Sequence, residues 1–205
     1  NVFQIIFEFL QTPLLNLGDT LGAMVVAYIF LHLFWFFGVN GGSVVGAVFN
    51  PILQTLSAGN IAGEHHIICQ QFQDLFATFG GAGSTLSLVI AMLLFCKSKR
   101  ITNLGKLSFV PGIFGINEPI LFGAPIVLNP MFFIPFVICG GIIGSLGGWA
   151  MYLGIMKCST FTPPYVGVFL EGFLTNMDPM SIVVNAVQLI LSILIWYPFV
   201  KSYEK

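Results

Sequence analysis

The chain has 205 residues, of which 57% are hydrophobic and only 7% charged, with a formal net charge of −1. Soluble domains carry about 25% charged residues, so this composition excludes an ordinary water-covered surface and points to a bilayer. The near-zero net charge gives no footing for nucleic acid or for a general polyanion partner.

The charged residues are confined to a few places. They leave Thr20–Gly63, Leu75–Cys96, Pro119–Met156 and Pro179–Val200 free of Asp, Glu, Lys and Arg. A spanning helix needs about 20 apolar residues, so the second and fourth runs suit one span each. The other two are too long for one span and are broken by glycine and proline. Asn1 is not an initiator and no signal peptide is visible, so the chain reads as part of a larger polytopic protein.

In residues 1–15 the apolar positions Val2, Phe3, Ile5, Ile6, Phe9 and Leu10 recur at helical spacing around Gln4, Glu8 and Gln11. That pattern predicts an amphipathic helix at the interface or the tail of a preceding span. A span over 20–39 follows and ends at the glycine-rich GVNGG, where Asn40 sits at a bend. Residues 43–57 are apolar but short and are interrupted by Asn50-Pro51, which predicts a re-entrant hairpin buried in protein or facing a watery cavity.

The polar stretch GEHHIICQQFQD then reads as an aqueous loop. His65 and His66 are adjacent and lack metal-ligand spacing, so the metal assignment is none. Cys69, Cys96, Cys139 and Cys158 form no CxxC pair and read as small hydrophobes.

Residues 75–96 predict a span that runs directly into KSKR. Lys97, Lys99, Arg100 and Lys106 are four of the seven basic residues, which makes this loop cytoplasmic by the positive-inside rule. The basic C-terminal KSYEK follows another span and falls on the same side. Spans at 131–153 and 181–200 supply the even number of crossings between those two anchors. Residues 107–130 must then enter and leave on one side, as a second re-entrant hairpin opening from the cytoplasm. With the 64–74 loop external, the two hairpins enter from opposite faces, the inverted arrangement of secondary transporters. The expected fold class is thus an all-α integral membrane protein, polytopic, with two re-entrant, proline-broken hairpins. Gly140, Gly144 and Gly148 form a stripe for close helix packing within the 131–153 span.

The second hairpin contains GINEPILFGAPIVLNP, with one charge, Glu118. An intramembrane carboxylate is a functional candidate by default. Pro119 disfavours helix at Glu118 and donates no N–H, so the hairpin is expected to break at the acid. Free N–H groups at a broken helix end stabilise an anion. The alternative is a neutral glutamic acid satisfied by backbone.

GIFGINEPILFGAPIVLNPMFFIPFV closely resembles the signature of the membrane (IIC) permeases of the bacterial sugar phosphotransferase system, in the lactose/cellobiose/chitobiose family. LFWFFGVNGG, GGAGSTLSLVIAMLLFCKSK, LGKLSFVPGIFGINEP, TPPYVGVFL and LIWYPFVK agree in order. The resemblance covers essentially the whole chain, as the C-terminal, substrate-binding half, with the N-terminal half and its homodimer contacts absent. It implies a multi-pass protein of the bacterial inner membrane that carries a β-linked disaccharide. A phosphorylated cytoplasmic IIB protein, fed by IIA, would donate the phosphoryl group, so the chain needs no cofactor and no autonomous catalysis.

The candidate sugar-site residues are Glu118, Asn117, Asn40, Gly41, Trp35 and Tyr165, and the resemblance implies that the Asn40 position lies near the sugar. Glu118 accepts sugar hydroxyls through charge-assisted bonds and is a candidate base. Trp35, Phe36 and Tyr165 are candidates to stack on pyranose faces, with core packing or lipid contact as the alternative for each. Two positions depart from the family pattern. Asn40 stands where a histidine is typical and takes no proton near neutral pH. Glu171 stands where a small or neutral residue is expected and reads as an interfacial carboxylate beside an external loop. A proton-coupled secondary transporter with Glu118 as the proton carrier is the alternative. A membrane glycosidase would need a carboxylate pair, for which Glu118 and Glu171 are the candidates.

Overall fold

The computed structural model describes residues 20–164 and 166–204. The expected interfacial helix at 1–15 lies outside the described residues, as does Tyr165. Among the described residues the fold is all-helical. Two continuous apolar helices, Pro130–Tyr152 with 23 residues and Met180–Glu204 with 25, are long enough to cross a membrane.

Helix α1 (Leu21–Phe36) packs on α2 (Gly41–Ile61) and on α6 (Pro130–Gly141). Asn40 stands in extended backbone at the start of α2, where its Oδ1 accepts the Ser43 N–H at 2.9 Å. That bond satisfies one of the donors a helix start leaves open.

The predicted break at Asn50-Pro51 is not present: α2 runs through Pro51 without interruption. An interior proline removes one rung and strains the preceding turn. Here the flanking turns continue, and Thr55 Oγ1 donates back to the Pro51 carbonyl at 2.9 Å. With 21 residues, α2 is roughly 30 Å long, so the premise that this segment is short also fails.

Asn60 ties the end of α2 to distant chain. Its Oδ1 accepts the His66 N–H, and its Nδ2 donates to the carbonyls of His66 and Ser159. His66 Nε2 pairs with Glu64 Oε2 at 2.7 Å. A short helical turn (Gln70–Phe72) passes into a π-helical turn (Gln73–Ala77).

A single span over 75–96 was the expectation, but regular helix resumes only at α3 (Thr85–Phe95), after a 3-10 turn at Ala82–Ser84. Between them Gly80, Gly81, Gly83 and Ser84 have positive φ. Glycine adopts that conformation without a Cβ penalty, so the GGAGS sequence interrupts helix where Pro51 does not.

Helix α4 (Lys99–Ile113) and α5 (Glu118–Gly123) pack against each other across the Phe114–Asn117 turn, where Gly115 has φ of +74°. Residues 124–129 then return to the end of α1, where the Leu128 N–H donates to the Phe36 carbonyl at 2.9 Å. Helix α6 continues through a 3-10 turn (Ile143–Ser145) into α7 (Leu146–Tyr152). A side chain on Gly140 would collide with the ring of His32, and one on Gly148 would press on Leu21 and Met24. Two of the striped glycines therefore let α1 lie close against this rod.

Helix α8 (Val168–Asn176) precedes the long α9 (Met180–Glu204). On α9 the buried positions include Ser181, Asn185, Gln188 and Ser192, while Ile182, Val183, Val187, Ile190 and Leu194 are exposed. This inside-out pattern is stable where the surrounding solvent is hydrocarbon, because polar groups then find partners only in the protein. Gln188 Nε2 donates to the Phe76 carbonyl at 2.7 Å, and Asn185 Nδ2 to the Val168 carbonyl at 3.2 Å. At the far end of α9, Glu204 accepts the backbone N–H groups of Lys97 and Ser98 and pairs with Lys201 at 2.8 Å.

Candidate functional site

The two breaks in helix, at Gly80–Ser84 and at Asn117–Glu118, meet in space. Asn117 is buried, and its Nδ2 donates to the Ala82 carbonyl at 3.4 Å. A Cβ on Gly81 would lie 2.6 Å from the Asn117 Cβ, so only glycine at 81 allows this approach. Glu118 follows at the start of α5, with Pro119 behind it. Its carboxylate is exposed and makes no hydrogen bond or ion pair among the described residues.

Glu118 lines a cavity of about 530 Å³ together with Asp74, Leu75, Thr78, Phe79, Gly80, Phe114, Gly115, Ile116, Val168 and Glu171. A volume of that order matches ordinary small-molecule sites, which span roughly 300–1,000 Å³. An adjoining chamber of about 70 Å³ shares Asp74, Leu75 and Glu171 and adds Gln71, Thr162, Pro163 and Thr175. Neither lining contains Lys, Arg or His.

Glu171 is held in place rather than solvated at random. Its Oε1 accepts the N–H groups of Val166 at 2.9 Å and Gly167 at 3.3 Å. Asp74 Oδ1 accepts from Gln70 Nε2 at 3.0 Å. Chemically, the cavity offers carboxylate acceptors beside apolar and aromatic surface, the combination that suits a neutral polyhydroxyl ligand.

Of the residues expected at the site, Glu118 lines the cavity and Asn117 supports it from beneath. Asn40, Gly41 and Trp35 are not among the lining. Asn40 caps α2, Gly41 packs on Leu31 and Trp35, and Trp35 borders two clusters of the core. Asp74 and Glu171 were not expected there. The signal available was their standing as lone acids at the edges of apolar runs, one of them beside TPPYVG. Neither fact reveals that the π-helical turn and α8 converge.

Comparison with known proteins agrees with the resemblance. A family model described as "Phosphotransferase system, EIIC" matches residues 1–140. The chain is 34% identical to the PTS system oligo-beta-mannoside-specific EIIC component of Bacillus subtilis, over 100% of this chain and 48% of that protein. It is 37% identical to the lichenan permease IIC component of the same organism, over 100% of this chain and 47% of that protein. Among solved structures, the transporter ChbC, the IIC component from the N,N'-diacetylchitobiose-specific phosphotransferase system, superposes with a TM-score of 0.88. Its sequence is 35% identical, and the match covers 98% of this chain and 48% of that one. The chain spans about half the length of the curated relatives it matches.

Proposed function

Because the chain belongs to the phosphotransferase-system EIIC family, whose members are membrane permeases, we propose that it forms the sugar-binding part of a permease for a β-linked disaccharide. Cellobiose, diacetylchitobiose and lactose are the candidate substrates. In this reading the sugar occupies the cavity beside Glu118 and is phosphorylated as it is carried inward by a multi-pass protein of the bacterial inner membrane. The relatives named for oligo-β-mannoside, lichenan and diacetylchitobiose support a β-linked substrate.

One observation carries this reading: a carboxylate without a partner among the described residues, set at a helix break, opens into a cavity large enough for a disaccharide. A carboxylate accepts two hydroxyl donors, each bond strengthened by its charge. In this reading the phosphoryl group comes from a phosphorylated cytoplasmic IIB protein, as the EIIC family membership suggests. In that transfer a sugar hydroxyl oxygen bonds to phosphorus, the bond from phosphorus to the IIB carrier breaks, and the hydroxyl proton must leave. Glu118, already accepting that hydroxyl, is placed to take the proton.

The test is isothermal titration of the purified full-length permease and its Glu118→Gln variant with cellobiose, lactose and diacetylchitobiose. The substitution keeps shape and removes charge. Charge-assisted bonds contribute about 1.5–3 kcal/mol, so affinity for the bound sugar should fall roughly tenfold to hundredfold. Wild-type affinity in a folded Glu118→Gln protein would move the sugar site elsewhere.

A further inference from the structure

The wall between the large cavity and the small chamber carries Asp74 and Glu171, facing the same space as Glu118 with no cationic side chain in either lining. Neutral sugar recognition needs acceptors but does not need three negative charges. Gathering them on one wall is unfavourable, since like charges repel. Glu171 also departs from the small or neutral residue that the family resemblance leads one to expect. Its anchoring by two backbone N–H groups fixes one oxygen and leaves Oε2 without a partner among the described residues.

The geometry argues against a metal as the missing countercharge. Among the described residues no three His, Cys, Asp or Glu side chains come close enough to hold an ion. A second, independent feature points to an organic ligand. Gln71 lines the small chamber and is only 7% exposed. Its Oε1 accepts from Ser57 Oγ at 2.7 Å, while its amide NH₂ has no partner among the described residues. That donor is not enclosed by protein, so a ligand in the chamber can meet it. It requires an acceptor oxygen, which a bare cation does not supply and a sugar hydroxyl does.

Resting on the sugar-binding reading above, we propose that this permease selects a disaccharide bearing a protonated primary amine, a glucosamine-type sugar. Its ammonium group lies against Asp74 and Glu171, and a neighbouring oxygen meets the Gln71 amide. Glu118 keeps its role toward the hydroxyls of the other ring. The ammonium supplies the positive charge that the lining lacks, through charge-assisted bonds to the two free carboxylate oxygens. An N-acetylated or plain hydroxyl group at the same position supplies none.

The full-length permease would be titrated calorimetrically with three β-1,4-linked disaccharides: the glucosamine dimer with free amines, diacetylchitobiose, and cellobiose. The free-amine sugar should bind on the order of tenfold more tightly than cellobiose. Glu171→Gln and Asp74→Asn should each reduce that ratio, lowering affinity for the free-amine sugar more than affinity for cellobiose. Retained cellobiose binding also shows that the variants fold. Equal or weaker binding of the free-amine sugar overturns the proposal, as does a preference that survives both substitutions. A variant that loses both sugars to the same extent would give its carboxylate a general binding role and count against amine selection. Selection by charge fails alone if cellobiose binds and the amine adds nothing. If none of the three sugars binds, the sugar-site reading fails and takes the selectivity with it.

Discussion

The indole N–H of Trp196 on α9 donates to the carbonyl of Gly83 at 3.2 Å, and both residues are buried. The adjacent Ala82 carbonyl takes the Asn117 side chain, so the irregular loop is pinned from two sides beside Glu118. Trp196→Phe keeps an aromatic ring against Phe132, whose ring centroid lies 5.8 Å away, but leaves the Gly83 carbonyl without its donor. Burying an unpaired carbonyl costs about 1–3 kcal/mol. The full-length variant should therefore melt several degrees lower in detergent. An unchanged melting temperature would mean that Gly83 has another donor and that this bond does not hold the loop.

Asp178 holds the junction before α9. Its Oδ1 accepts the Met180 N–H at 3.0 Å and its Oδ2 the Lys157 N–H at 3.1 Å. The Met180 bond is the largest influence lowering its carboxyl below the ordinary value, with the bond and charge of Lys157 adding to it. A group with a depressed folded-state pKa stabilises above its unfolded value, and that stability is lost as pH falls through the folded one. Asp178 is only partly buried, so solvent screening keeps the effect modest. Asp178→Ala should cost about 1 kcal/mol at neutral pH, as for loss of a helix cap, and little at pH well below the carboxylate range. A destabilisation that is the same in acid would show that the carboxylate charge contributes nothing.

The basic cluster predicts membrane orientation. Asn103 on α4 is exposed, and the described cysteines are buried or partly buried. A cysteine introduced at Asn103, or at neighbouring Ser98, should react with an impermeant maleimide only from the cytoplasmic side. Labelling in intact cells from outside would overturn the orientation and with it the expectation that residues 107–130 form a hairpin opening from the cytoplasm.

Helical content and the break at Glu118 were legible because composition and Pro119 act locally. The second break was harder to place. Asn50-Pro51 carries the stronger helix-breaking residue, yet a proline removes one rung and its neighbours can continue, as α2 does. Successive glycines at positive φ cannot belong to a helix, and the chain stops at Gly80 and Gly81 instead. Glu171 and Asp74 illustrate a different limit. Each looked like a solvated acid at the edge of an apolar run, because what brings them to one wall is the packing of α8 against the π-helical turn. Tertiary contacts of that kind leave no periodic trace in sequence.

Asn40 joins a local structural role to the expected site. Its side chain caps α2 through Ser43 and does not line the cavity, while the family resemblance implies a histidine near the sugar at this position. Asn40→His removes an N-cap acceptor of the favoured kind, which costs about 0.5–2 kcal/mol. Asn40→Asp keeps the cap and should be close to neutral in stability. If the position also serves transfer, Asn40→His should retain sugar affinity and raise the rate of phosphorylation in a reconstituted system with phosphorylated IIB protein, despite the lower melting temperature. The two effects separate cleanly, since stability is read from thermal melting and transfer from the product formed per turnover. A lower melting temperature with an unchanged rate would confine Asn40 to the cap. A collapse of sugar binding in Asn40→His alone, with Asn40→Asp intact, would mean that the start of α2 shapes the sugar site through its backbone rather than through a proton-accepting side chain.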